Sequence, residues 1–255
     1  MQKPIVALQM WTVRDYAAQD LPGTLRQLKE MGYDAVELAG TYGLETDAFR
    51  EMLDKAGLVA VSTHAGMHEF REDAAAAVAR YKQLGCHMLG IPGVGNDALP
   101  GGERFEWFLA QLNMLGQLCN DLEMPLMYHN HDHEFKTLPD GRYVLDALFE
   151  SIPAQYLQAE IDAGWVLAAG LDPVPYIQKY ADRCPVIHLK DLVKAGDKFE
   201  DRPVGQGGLD IPAVIKAALD GGCKILVAEL DFAPPGVTLM DAAQKSREYL
   251  SSIGY

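Results

Sequence analysis

The chain has 255 residues, 49% hydrophobic and 23% charged, which is the composition of an ordinary globular protein and excludes a disordered or fibrous one. Its 36 Asp and Glu outweigh 22 Lys and Arg, for a formal charge of -14. That sign argues against nucleic acid or an anionic membrane surface as the main partner, since both need a basic footprint. It also makes a highly anionic substrate less natural.

The N-terminal M-Q-K-P-I-V-A-L-Q-M lacks the apolar core and small-residue cleavage site of a leader, so no signal peptide is expected. No apolar run approaches the roughly 20 residues of a membrane helix, and the expected compartment is the cytoplasm. Cys86, Cys119, Cys184 and Cys223 form no C-x-x-C pair and are expected to be small core residues.

In chain order, Ile5 to Leu8 reads as a first strand leading into Q-M-W-T-V-R-D. A helix follows over Leu21 to Met31, with Leu21, Leu25 and Leu28 on one face, and stops at Gly32. Ala35 to Leu38 is a second strand, interrupted by Glu37; a helix over Glu45 to Ala56 stops at Gly57, and L-V-A-V-S-T-H is a third strand ending in His64. The pattern repeats with a helix over Ala74 to Leu84, the strand C-H-M-L-G-I-P-G, a helix over Glu103 to Leu122 and the strand M-P-L-M-Y-H-N-H. A helix over Tyr143 to Ser151 then precedes Y-L-Q-A-E-I-D-A-G-W, and one from Asp172 to Ala181 precedes C-P-V-I-H-L-K-D. A polar loop E-D-R-P-V-G-Q-G-G-L-D, a helix over Ile211 to Leu219, the strand C-K-I-L-V-A-E-L-D and a helix over Val237 to Leu250 close the chain.

Short apolar strands separated by helices call for a parallel sheet buried on both faces. Eight such units predict an α/β fold, a single (β/α)8 TIM barrel over residues 1–255 with its active site at the C-terminal strand ends. A doubly wound open sheet is the runner-up, weakened by the absence of G-x-G-x-x-G after strand one.

Under the barrel reading the polar strand ends form one ring: Glu37, His64, His129 and His131, Glu160 and Asp162, His188 and Lys190, Glu229 and Asp231. Singly, each is explained by a salt bridge or a cap. Together, so many acids and imidazoles around one mouth are poorly stabilised without a cation. Mixed imidazole and carboxylate donors suit Mn2+, Mg2+, Co2+ or Zn2+ rather than a thiolate-selected metal. Such an ion would polarise a carbonyl or vicinal hydroxyls and stabilise an enediolate.

The ordered motifs L-Q-M-W-T-V-R-D, G-Y-D-A-V-E-L-A-G, Y-H-N-H-D-H-E-F, E-I-D-A-G-W, H-L-K-D, V-G-Q-G-G-L-D and A-E-L-D resemble the sugar phosphate isomerase/epimerase group of xylose-isomerase-like TIM barrels. The resemblance implies a divalent metal held from strands five to eight, commonly by Glu, Asp, His and Glu, which falls on His129, Asp162, His188 and Glu229. Histidine at the first position departs from the pattern and counts against a two-glutamate epimerase. His131 matches a base of dehydratase relatives. Glu160 would orient His129 or ligate, Lys190 and Glu37 would contact substrate hydroxyls or an oxyanion, His64 and Trp165 would wall the pocket, and Gly205 and Gly207 would offer backbone N–H groups to substrate. His133 and Glu134 are assigned to solvent or to supporting positions, and His68 and His87 lie outside the strand ends.

The leading expectation is a metal-dependent isomerase or epimerase of a sugar, keto-sugar or cyclitol. The alternatives are an inosose-type dehydratase, a lyase or hydrolase of a 3-keto-glycoside, and a non-catalytic ligand-binding barrel. The expected partner is that small molecule, with a homo-oligomer left open.

Overall fold

The computed structural model describes residues 3–255; Met1 and Gln2, part of the N-terminal stretch read above for a leader, lie outside the described residues. Eight parallel strands close into a barrel: β1 (Ile5–Gln9), β2 (Ala35–Ala39), β3 (Val59–His64), β4 (Leu89–Ile91), β5 (Leu126–His129), β6 (Gln158–Asp162), β7 (Val186–Leu189) and β10 (Ile225–Ala228), with β1 paired to both β2 and β10. An antiparallel hairpin, β8 (Asp191–Ala195) and β9 (Lys198–Arg202), stands between β7 and β10. The TIM-barrel expectation is met. No helix among the described residues is long and apolar enough to cross a membrane.

Alternation along the strands sets what points inward. Ala7, Ala35, Met127, Val186 and Val227 form a small buried cluster inside the barrel. Two residues further along each strand or its continuation come Gln9, Glu37, His129, His188 and Glu229, because the side-chain period of a strand is 2. The barrel therefore rests on an apolar plug and turns polar toward its C-terminal mouth. The opposite strand faces, with Leu8, Leu38, Tyr128, Ile161, Ile187 and Leu226, pack against the surrounding helices.

The helices form where their apolar stripes demand cover. In Leu21–Glu30, Leu21, Leu25 and Leu28 are buried, and the Asp20 carboxylate accepts the Gly23 N–H at 2.9 Å as an N-cap. Thr46–Ala56 ends at Gly57, whose φ of +70° is the left-handed cap that glycine adopts without strain. All four cysteines are buried and free.

Three segments differ from expectation. Asp162 ends β6, and A-G-W opens a helix, Ala163–Ala168, because the Asp162 carboxylate accepts the N–H groups of Gly164 (2.8 Å) and Trp165 (3.1 Å). A Cβ on Gly164 would stand 2.4 Å from the Lys190 carbonyl, so only glycine lets this helix approach β7 so closely. A helix over Arg14–Gln19 also follows β1. Finally, E-D-R belongs to β9 rather than to a loop; its charged side chains gave no apolar signal, and local pairing with β8 makes the strand. Asp201 on that hairpin accepts the N–H groups of Asp231 (3.1 Å) and Phe232 (2.7 Å), fixing the segment after β10.

Away from the mouth, the buried Asp146 joins two helices. Its carboxylate receives Tyr176 Oη at 2.7 Å, Tyr180 Oη and Lys179 Nζ at 2.7 Å. Burial opposes its ionisation, but the hydrogen bonds from Lys179, Tyr180 and Tyr176 win and hold its pKa below the ordinary value. Asp146→Ala strands two buried hydroxyls and is expected to cost about 2–4 kcal/mol in urea unfolding at pH 7. Because the folded-state pKa is the lower one, the contribution is present above the unfolded-state pKa and fades as pH falls through the folded value. A cost below about 1 kcal/mol at pH 7, or a gap between variant and wild type that widens in acid, would refute this.

Candidate metal centre and cavity

Register brings the polar strand ends together. His129 lies beside Glu160 across β5 and β6, and Asp162 beside His188 across β6 and β7. Donor atoms of His129, Asp162, His188 and Glu229 all fall within 4.8 Å of one another, and all four side chains are buried. These are the four residues expected to hold a metal. His129 Nε2 stands 4.0 Å from Asp162 Oδ2, and His188 Nδ1 stands 3.0 Å from Glu229 Oε2.

The other nitrogen of each ring faces a carboxylate, within hydrogen-bond reach for His188 and at the edge of it for His129, whose Nδ1 is unpartnered. His129 Nδ1 faces Glu160 Oε2 at 3.5 Å, and His188 Nε2 faces Glu37 Oε1 at 2.7 Å. Metal-bound histidines characteristically have such a carboxylate behind them, which fixes the tautomer and the ring orientation. Glu160 is fixed in turn by His64 Nε2 at 2.6 Å, and Glu37 by Gln9 Nε2 (2.8 Å) and Ser62 Oγ (2.5 Å).

The residues fit a divalent cation on two counts. Asp162 Oδ2 is buried without any hydrogen-bond partner, while its Oδ1 is used up by the helix cap. The donors are two imidazoles and two carboxylates, a set suited to a borderline or hard divalent ion. Burial opposes protonation of His188, but Glu37, Glu160 and Glu229 outweigh it and hold its pKa well above the usual imidazole range, so an ion bound there would replace a proton. Burial, together with the neighbouring charge of Glu229, pushes the Asp162 pKa up to about 8, against the pull of Lys190 and His188. Burial pushes His129 down to about 3, which leaves it a neutral imidazole. Glu229 is held well below the usual carboxylate range: burial opposes this, but Lys190 and His188 outweigh it.

A cavity of about 480 Å³ opens over the cluster, with His64, His129, His131, Glu229, Asp231, His68 and Glu69 supplying its polar wall and Trp11 among its apolar lining. His131 lies just beyond the end of β5, with its ring 5.1 Å from that of His129 and 5.3 Å from that of Trp165. Its backbone N–H donates to Glu134 Oε2 at 2.8 Å, and Tyr128 Oη donates to Glu134 Oε1 at 2.8 Å. Burial lowers the His131 pKa, so the ring is an available proton acceptor. Asn130 turns the other way and pairs with the Asp162 backbone, accepting its N–H at 3.0 Å.

Several expected substrate contacts are corrected. The Gly205 and Gly207 N–H groups donate to Asp191 Oδ2 at 2.9 and 2.8 Å, so they are committed to an internal carboxylate rather than offered to substrate. Glu37 is fully buried beneath His188 and does not line the cavity. Lys190 is also fully buried, its ammonium bound to Asp231 (2.8 Å) and Glu229 (3.2 Å). Trp165 packs against His131 instead of walling the cavity. His64 does line it, as expected. The cavity is also lined by Trp11, His68 and Glu69, which the strand-end reading does not reach: all three lie on short turns after β1 and β3, where no strand periodicity marks them. Glu134 is fully buried behind His131, while His87 stays exposed and apart from the cavity.

Residues 25–253 match the xylose isomerase-like TIM barrel family. The chain belongs to that family. Among curated relatives, an inosose dehydratase of Geobacillus kaustophilus is 25% identical over 70% of this chain and 63% of its own length. The chain thus spans less than two thirds of the curated relatives it matches. A sugar phosphate isomerase/epimerase from Parabacteroides distasonis superposes with a TM-score of 0.82 at 23% identity, covering 100% of this chain and 96% of that one. A xylose isomerase-like TIM barrel protein from Mycobacterium smegmatis, solved in complex with magnesium, gives 0.73 at 16% identity, with 99% and 98% covered. At these identities the two structural likenesses are of fold.

Proposed function

We propose that this family member is a divalent-metal-dependent enzyme that moves a proton at the carbon next to a carbonyl in a sugar, keto-sugar or cyclitol. The observation that carries this reading is the four-residue cluster, two of whose members, His129 and Glu229, line a cavity that also receives His131. His129, Asp162, His188 and Glu229 would hold the ion, which when bound supplies a Lewis acid to a carbonyl and a neighbouring hydroxyl. The remaining work falls to the chain. His131 takes the proton, held in place by Glu134 on its backbone and Trp165 against its ring. Lys190 steadies Glu229 and Asp231, while Asp231 and His68 line the cavity where substrate hydroxyls would lie.

Within this chemistry the chain is compatible with isomerisation, but one observation favours dehydration. The strand-five position holds His129, a buried neutral imidazole, so a second carboxylate to work the opposite face of a substrate carbon is missing there. A single base, His131, suits removal of a proton and departure of a β-hydroxyl, because the imidazolium formed in the first step carries the proton that lets the hydroxyl leave as water. The name of the inosose dehydratase relatives supports the same direction. The test is solvent-deuterium incorporation into inososes, keto-sugars and 3-keto-glycosides with Mn2+ present, alongside ultraviolet detection of an unsaturated product. Exchange with one class is expected. A complete lack of exchange across the panel rejects the reading, and exchange without unsaturated product returns the preference to isomerisation.

A further inference from the structure

A second cluster, sharing no residue with the four-residue centre, sits on its rim. A ring nitrogen of His131, a ring nitrogen of His133 and a carboxylate oxygen of Glu134 lie within 4.8 Å of one another. We propose that these three side chains form a separate zinc site whose occupation switches His131 off.

Four features of the geometry support it. His133 Nε2 and Glu134 Oε1 are 3.2 Å apart, close to the roughly 3.3 Å that separates neighbouring donors around tetrahedral zinc with bonds near 2.0–2.1 Å. His131 Nδ1 is buried and has no hydrogen-bond partner, so the ring carries an unused lone pair or N–H. Glu134 is fully buried and already oriented by hydrogen bonds from Tyr128 and from the His131 N–H, and its Oε1 pairs with His133 Nε2, so an ion would enter by replacing the proton between them. Outer partners of this kind are what a metal-binding carboxylate normally has. The His133 side chain is 28% exposed, which gives an ion a way in from solvent. Two imidazoles and one carboxylate, with a fourth position for water, match zinc better than magnesium.

The consequence rests on the assignment of His131 as the base. A neutral imidazole carries one N–H. Zinc on one ring nitrogen of His131 leaves that proton on the other, and the ring becomes a donor that can no longer accept. The ion thus inhibits without displacing the metal held by the other cluster.

Equilibrium dialysis of Zn2+ against the purified chain tests the site without requiring turnover. Wild type is expected to bind two zinc ions, with Asp162→Ala and His133→Asn each binding one. In Mn2+-loaded wild type, added zinc should slow solvent exchange about 100-fold, the low end of what losing a general base costs, while His133→Asn is spared. A second readout uses Co2+ with Asp162→Ala, where the intense visible bands of four-coordinate cobalt are expected. Zinc binding by His133→Asn with wild-type stoichiometry and affinity would overturn the proposal, as would a six-coordinate spectrum or no cobalt binding in Asp162→Ala. If wild type binds one zinc and His133→Asn none, this site stands and the deeper one fails.

Discussion

Replacing Asp162 with asparagine is expected to empty the buried cluster of metal and to lower proton exchange by more than about 100-fold, since losing even an outer partner of a metal ligand costs 10–100-fold. The choice of asparagine follows from the two jobs of this carboxylate. Its Oδ1 caps the helix Ala163–Ala168 through the N–H groups of Gly164 and Trp165, and only Oδ2 faces His129 without a partner. Asparagine keeps an oxygen for the cap and removes the charge. Asp162→Ala removes both, and should lose about 1 kcal/mol more in urea unfolding, the usual value of an N-cap. Metal content after gel filtration and deuterium exchange by NMR read the two variants. Wild-type metal content in Asp162→Asn would disprove the centre proposed here, whatever the activity.

The pattern of success and failure in reading the chain follows from what periodicity can carry. Inward-facing residues recur every second position, so a strand with an apolar interior residue announces the polar one that follows, as Met127 does His129 and Val186 does His188. Four strands read this way converge without any knowledge of their spatial order, because a closed barrel brings every strand end to the same mouth. The depth of each side chain is a different matter. Lys190 and Glu37 point inward as expected, yet both are consumed by internal partners, Lys190 by Glu229 and Asp231, and Glu37 by Gln9, Ser62 and His188. The Glu37–Ser62 contact depends on a register shift between Val36 and Glu37 that no single strand records. Trp11, His68 and Glu69 come from turns whose course is set by packing, and the Asp191 carboxylate that takes the Gly205 and Gly207 N–H groups sits 14 and 16 residues away from them in sequence. Such partners are chosen in three dimensions.

His131→Ala should separate holding the metal from moving the proton. His131 belongs to none of the four-residue donor set, and its ring stands 5.1 Å from that of His129 on the cavity side. Removing it is expected to leave the metal content of that cluster unchanged while exchange falls about 10²–10⁴-fold, the range for a positioned general base. The loss should sit in kcat rather than in KM, because the ring meets the transferred proton and not the hydroxyls that bind substrate. Truncation opens space beside a cavity of about 480 Å³, enough to admit a free imidazole. Added imidazole should therefore restore part of the exchange in His131→Ala and none in Asp162→Asn. Glu134→Gln offers the matching control: Glu134 hydrogen-bonds the His131 backbone N–H and lies near its ring, so this variant disturbs the base without deleting it and should lose less than His131→Ala. Exchange in His131→Ala within about tenfold of wild type would reassign the base to another cavity-lining group, with Asp231 the first to test.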